Sequence, residues 1–401
     1  MRKVFLLIGL LHTLISFAGD KGKTYYMPDY ISPEKIQIVR DSFGVPHIFA
    51  PTDAEVAYGL AWATLEDDIE TAMYLFYASK MLLGRHIGVD GAVIDYAVQL
   101  TKVRDIAEDY VNNTCPEDFK KVLEGYCAGV NSYLVNHWDE LTIKRAFPLE
   151  PKDVIAGYML GMSLMSEIDK ALKSIVEGKL KDKIPSMPEY PVIGSNAFAI
   201  NGNKTKDGST YLDINSHQPL EGLLSWYEAH LCSEEGWNIT GSLFHGGISI
   251  FHGTNEKLGW AHTVGAFDKS DIFVLKMKDE KKTNKYQYND EWLELEESHA
   301  KLRVGFGKNK NLVIPVRKKI WNSKFGPTIK TDDGVFALKM PALLEPTVAE
   351  QWWRMNKAQN FEEFKEVLRM QGLSQMNVCY ADVEGNIFLL ANGLIPKRKD
   401  G

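Results

Sequence analysis

Cysteine is scarce in this chain. Four occur in 401 residues, at Cys115, Cys127, Cys232 and Cys379. They form no CxxC pair and show no Cys/His metal spacing, which leaves zinc modules and thioredoxin-like redox chemistry without support. Cys115 and Cys127 could pair across a short loop; four free thiols is the other reading. Positive charge is not in excess. The 46 Lys and Arg stand against 53 Asp and Glu, for a net charge of −7 and a pI of about 5.9. A nucleic-acid partner, which demands clustered basic surface, is not expected. GxSxG, HExxH, P-loop and GxGxxG motifs are all missing. The usual signatures of elbow serine hydrolases, zinc proteases, nucleotide hydrolases and dinucleotide enzymes are therefore absent. After the N-terminal segment no apolar run reaches the roughly 18 residues of a membrane-spanning helix, so no stable membrane anchoring is expected. There is no internal repeat and no low-complexity tract.

What is present fits an ordinary soluble protein: 45% hydrophobic and 25% charged residues. The length allows two or more domains or one large layered one. Aromatics are plentiful, with 9 Trp, 17 Tyr and 18 Phe, enough for a large core and an apolar pocket. The first residues, MRKVFLLIGLLHTLISFAGD, place Arg2 and Lys3 before an apolar stretch from Val4 to Leu14, with small residues at Ser16 and Ala18. This pattern predicts a signal peptide over 1–18, cleaved after Ala18, and export to the periplasm or beyond. An uncleaved anchor is the alternative. No cysteine follows the apolar stretch to carry a lipid.

The chain changes character near its middle. Residues 36–50 read as two short strands about a Gly44-Val45-Pro46 turn. From Asp53, expected to cap a helix, to Gly84 the period is helical. Residues 101–136 and 150–180 are also mostly helical. Residues 181–194, KDKIPSMPEYPVIG, hold three prolines and no period, which predicts a linker. From Ser195 the pattern turns to short strands, beginning with SNAFAI and a hairpin expected at Lys206-Asp207-Gly208-Ser209. Residues 284–345 read as a β-rich insertion, 361–371 as a helix, and NVCYADVEGNIFLL as strand, turn and strand.

The junction IGSNAF raises a chemical question. Gly-Ser-Asn before a strand is ordinary turn chemistry. If the Gly194–Ser195 bond were cut, however, Ser195 would carry a hydroxyl nucleophile and a free α-amine base on one residue. Other candidates follow it. His217 stands in NSHQP, where a surface histidine is the bland reading. Asp268 and Asp271 flank Ser270, a pair of carboxylates that suits a hard cation but falls short of the six to eight oxygens Ca²⁺ takes. Asn377 enters a predicted buried strand, where its amide needs a partner.

Together these residues resemble the penicillin acylase family of N-terminal nucleophile hydrolases, including its acyl-homoserine-lactone acylase branch. The segments that carry the resemblance occur in order: RDSFGVPHIFA, GSNAFAINGNKTKDGSTYLDINSHQPL, WYEAHL, GTNEKLGWAHTV, DKSDIF and NVCYADVEGNIFLLANGLIPKR. The resemblance implies an α+β, four-layer αββα fold, with a mostly helical α-chain region at 19–180 and a β-rich β-chain that begins at Ser195. It implies a nucleophile at Ser195, exposed by self-cleavage after Gly194, with its own α-amine as base. It implies an oxyanion hole from the Val264 N–H and the Asn377 amide, His217 as an orienting group, and Arg398 as support for Asn377. It also implies a structural Ca²⁺ held by Glu167, Asp268, Asp271 and the Ser270 carbonyl, linking the two chains, with no organic cofactor.

The expected activity is hydrolysis of a small-molecule N-acyl substrate, such as an N-acyl-homoserine lactone or a penicillin, at its amide bond. Family members run well past Gly401, which marks 195–401 as the N-terminal part of a truncated β-chain. The competing reading is a non-catalytic exported protein of the same fold that binds acylated ligands. A Ser/His/Asp hydrolase built on His217 is a third, disfavoured by the missing nucleophile elbow.

Overall fold

A computed structural model describes residues 23–177, 194–265, 267–279, 283–307 and 310–398. The signal peptide expected at 1–18 and nearly all of the linker expected at 181–194 lie outside the described residues. Helices dominate before Ser195 and strands after it, an α+β architecture.

The first half is built on a long helix, Asp53–Ser79, whose N-cap is Thr52 rather than the expected Asp53. The Thr52 side chain accepts from the Glu55 N–H while Glu55 reaches back to the Thr52 N–H, a reciprocal capping box. The helical period read to Gly84 breaks sooner. Met81 takes a positive φ of 57°, and short helices at Leu83–Ile87 and Val89–Thr101 follow. Glu117–Asn136 packs along the long helix. Two glycines permit the approach: a Cβ on Gly125 would stand 2.1 Å from the Ala54 carbonyl oxygen, and one on Gly129 2.4 Å from that of Tyr58. Pro151–Met165 completes the helical layer.

An eight-stranded sheet takes strands from both halves. Its order is Gln37–Arg40, Pro46–Ala50, Trp226–Ser233, Asn238–Phe244, His252–Thr254, Leu258–Val264, Met376–Asp382 and Ile387–Leu390. All neighbours are antiparallel except one pair. Pro46–Ala50 runs parallel to Trp226–Ser233, with His47 opposite His230. Inward residues such as Ile48, Ala229, Leu231 and Trp260 are fully buried and join the helices in one core. A further helix, Val348–Lys357, was not legible in the sequence; it brings Trp352 and Trp353 into that core. Four strands of the region read as β-rich join Asp271–Val274, which precedes it, in a second sheet of order Glu296–Phe306, Leu312–Ser323, Gly326–Thr331, Gly334–Lys339 and Asp271–Val274.

Ser195–Ile200 pairs with Tyr211–Ser216 as a separate two-stranded sheet. The connection is the ten residues 201–210, with a short 3₁₀ turn at Gly202–Lys204, longer than the four-residue turn expected at 206–209. All four cysteines are free thiols, so the Cys115–Cys127 pairing is not formed.

Candidate active site

Ser195 opens its strand, and its hydroxyl donates to the carbonyl oxygen of Gly194 at 2.7 Å. The same oxygen accepts from the His217 backbone N–H at 3.0 Å. Strand register explains this: Ser195 lies opposite Ser216, so the next residue on the facing strand reaches back to Gly194. The carbonyl of the bond in question thus has a hydroxyl beside it and a donor on its oxygen.

The His217 ring sits at the same place. Its Nε2 accepts from the side-chain amides of Asn196 (3.1 Å) and Asn215 (3.4 Å). An amide N–H can only donate, so Nε2 is the bare nitrogen and Nδ1 carries the proton. Nδ1 faces Gly194, 3.8 Å from where a Cβ on that residue would be.

The Ser195 strand packs against Leu258–Val264 and Met376–Asp382, which brings Val264 and Asn377 onto neighbouring elements. Asn377 lies opposite Thr263, and its amide donates to the Thr263 hydroxyl (3.1 Å) and the Val264 carbonyl (3.3 Å). Gly265 donates to the Gln375 carbonyl. That makes Val264–Met376 the non-hydrogen-bonded pair of the ladder and turns the Val264 N–H away from its partner strand.

Sequence reasoning missed the group that holds Asn377 from behind. His262, buried two residues before Val264, donates from Nδ1 to the Asn377 carbonyl (3.1 Å) and accepts at Nε2 from Trp352 Nε1 (3.0 Å). Burial pushes its pKa down to about 3, with the neighbouring His252 adding to the shift and the bond to Asn377 opposing it. The ring is therefore neutral. Trp352 also lines a small apolar pocket of about 60 Å³ with Tyr158, Met162, Phe244 and Phe251. A larger cleft of about 750 Å³ lies between the loop end of the Ser195 hairpin and the sheet, walled by Leu212, Leu258 and Glu384 among others; Ser195, His217, Val264 and Asn377 do not line it.

The expected calcium set does not assemble. Arg398 reaches Asp268 (3.1 Å) and Asp271 (2.9 Å), and a guanidinium pairs with two carboxylates more strongly than with a neutral amide. It is thus held away from the Asn377 role foreseen for it. Glu167 pairs with Lys170 (2.6 Å). Lys269 also feels the Glu167 charge, although burial holds its own pKa below the ordinary value. Ser270 is half-buried between the two aspartates. Cations of the protein already meet these carboxylates, and among the described residues no three His, Cys, Asp or Glu side chains gather to hold a metal. The donor set as arranged does not fit Ca²⁺.

Fold and site together define an α+β chain whose serine-bearing hairpin lies against a mixed sheet. A family model described as penicillin amidase matches residues 35–401, and the chain belongs to that family. It is 22% identical to an acyl-homoserine lactone acylase PvdQ of Pseudomonas fluorescens, over 90% of this chain and 50% of that protein. It is 21% identical to a penicillin G acylase of Escherichia coli, over 92% of this chain and 55% of that protein. The chain therefore spans about half the length of the curated relatives it matches. A solved thermostable penicillin G acylase from Alcaligenes faecalis aligns with 52% of this chain and 36% of its own, at 24% identity and a TM-score of 0.43.

Proposed function

We propose that this chain carries the nucleophile of an exported amide hydrolase that removes the acyl group from a small N-acyl substrate, such as an N-acyl-homoserine lactone or a penicillin. The observation that carries the reading is the Ser195 hydroxyl held against the Gly194 carbonyl, whose oxygen already has the His217 N–H as donor. In self-cleavage, Ser195 Oγ attacks the Gly194 carbonyl carbon. The C–N bond breaks, an ester forms on Oγ, and the nitrogen becomes the Ser195 α-amine. Water then hydrolyses the ester, leaving a carboxylate on Gly194 and a free N-terminal serine. An α-amine titrates near pH 8 when unperturbed, so it is available as a base at neutral pH.

In turnover, the amine takes the Oγ proton as Oγ attacks the substrate carbonyl and passes it to the leaving amine. Water resolves the acyl-enzyme by the same route. The Val264 N–H and the Asn377 amide are the oxyanion donors, the latter after leaving Thr263. The apolar pocket at Tyr158, Phe251 and Trp352 receives the acyl group, and its wall is joined to Asn377 through His262. The four-layer αββα arrangement belongs to the same reading.

The test is the intact mass of the purified protein beside Ser195→Ala. Two chains, one beginning at Ser195 and seen only without the substitution, support the proposal. A single uncut chain in both folded samples refutes it and favours a binder of acylated ligands.

A further inference from the structure

His47 and His230 face each other across the one parallel strand pair. Their Nδ1 atoms are 3.1 Å apart and their ring planes meet at 79°. Both rings are half-buried, on the side of the sheet opposite the fully buried Ile48, Ala229 and Leu231. The outer nitrogens have partners of their own. His230 Nε2 donates to Asn238 Oδ1 at 2.9 Å, and His47 Nε2 faces the Asp41 carboxylate at 3.8 Å. Asp41 is in turn fixed by the N–H groups of Phe43 and Val45. An amide oxygen only accepts, so His230 keeps its proton on Nε2 and aims a bare Nδ1 at His47, whose own Nδ1 donates to it in one tautomer and is bare in the other. A proton holds the two nitrogens at this distance, and a metal ion that displaces it finds both lone pairs aimed at one point.

We infer that His47 and His230 form a two-imidazole site for a borderline divalent transition metal ion such as Zn²⁺, Ni²⁺ or Cu²⁺. Nitrogens about 2.0–2.1 Å from one ion stand about 3.3 Å apart in tetrahedral geometry and about 2.9 Å apart at adjacent square-planar positions. The observed spacing falls between the two. The acceptors on Nε2 are those that orient metal-ligating histidines. Because no third protein ligand gathers here among the described residues, water completes the shell, and the 34% of the His47 side chain left exposed gives it access. Proximity of the ion to Cys232, two residues along the same strand, makes that thiol the control. His47 precedes Ser195 and His230 follows it, so a bound ion ties together the segments on either side of that residue. This holds whether or not the chain is cut.

The probe is ZnCl₂ added to the metal-free full chain, read by competition with a zinc-sensitive dye. One equivalent binds. His47→Gln and His230→Gln each lose it, Asp41→Asn weakens it about 10–100-fold, and Cys232→Ser leaves it intact. In the unaltered chain labelled with ¹⁵N-histidine, two Nδ1 resonances move with the first equivalent, a readout that no substitution can confound by misfolding. Absence of zinc binding, binding retained when both histidines are replaced, or binding lost with Cys232→Ser overturns the assignment.

Discussion

Acid should destabilise this fold through two histidines that the sequence does not mark. His262 and His252 are 3% and 5% exposed. Burial pushes their pKa values down to about 3 and about 4 from an ordinary 6.5. A base with a lowered folded pKa stays neutral in the native chain but protonates once the chain unfolds. Its contribution to stability is therefore complete above pH 6.5 and is lost as pH falls through the window toward 4 and 3. Linkage gives the size: moving from pH 7.5 to 5.0 costs about 2 kcal/mol for each residue, about 4 kcal/mol together. That is a large part of the roughly 5–15 kcal/mol typical of a folded domain. Urea unfolding followed by tryptophan fluorescence at the two pH values measures the drop. In His262→Gln and in His252→Phe the drop should shrink by about 2 kcal/mol each, whatever either substitution costs at neutral pH. An acid loss in the double variant equal to that of the unaltered chain would refute the reasoning. If the acylase reading holds, activity falls over this range only as the chain unfolds, because folded His262 stays neutral and keeps its bonds to Trp352 Nε1 and the Asn377 carbonyl.

Asp53→Ala removes a buried carboxylate that accepts from Ser233 Oγ (2.5 Å) and Trp353 Nε1 (3.2 Å) and pairs with Lys357. The cost should be about 3 kcal/mol in urea unfolding, and a change below about 0.5 kcal/mol, the scale of neutral surface substitutions, would contradict the partnership. Asn377→Ala should lower kcat for N-acyl substrate hydrolysis by about 10²–10³ with little change in KM; an unchanged kcat in the processed protein removes Asn377 from the oxyanion hole.

The features that read well from the sequence were those written locally. The strands about Gly44-Val45-Pro46, the switch to strands at Ser195 and the pair around Val383-Glu384-Gly385 all follow from alternation bounded by turn residues. Features set by distant partners did not read. Thr52 displaces Asp53 as the cap because Asp53 is engaged by Ser233 and Trp353, residues 180 and 300 positions away. Val348–Lys357 is a helix whose tryptophans become intelligible only once the sheet they cover exists. Arg398 carries no local sign that it will meet Asp268 and Asp271. His262 sits inside a quoted motif, GWAHTV, yet its role depends on Trp352 and on the backbone of the neighbouring strand, so spacing alone could not reveal it. A histidine in an otherwise apolar strand beside a predicted buried asparagine was the one available signal.

Cleavage at Ser195, as proposed, divides a fold whose two segments are already tied together elsewhere. Pro46–Ala50 from the first segment is hydrogen-bonded into the sheet beside Trp226–Ser233 from the second. At one end of that pair, Asp53 draws Ser233, Trp353 and Lys357 onto the N-terminus of the long helix, where its charge also suits the helix dipole. Near the other end, the Tyr227 hydroxyl donates to Asp67 at 2.6 Å, and Asp67 is itself paired with Arg40. On the far side of the helices, Tyr110 donates to buried Glu350 at 2.6 Å, and Arg354 spans Glu350 and Asp118. These ties lie in regular structure and in the shared core, whereas the residue that must be freed opens a separate two-stranded hairpin that rests on the larger sheet. The architecture therefore confines the consequence of a cut to the place where a new α-amine is needed, because the contacts that join the two segments do not depend on the Gly194–Ser195 bond.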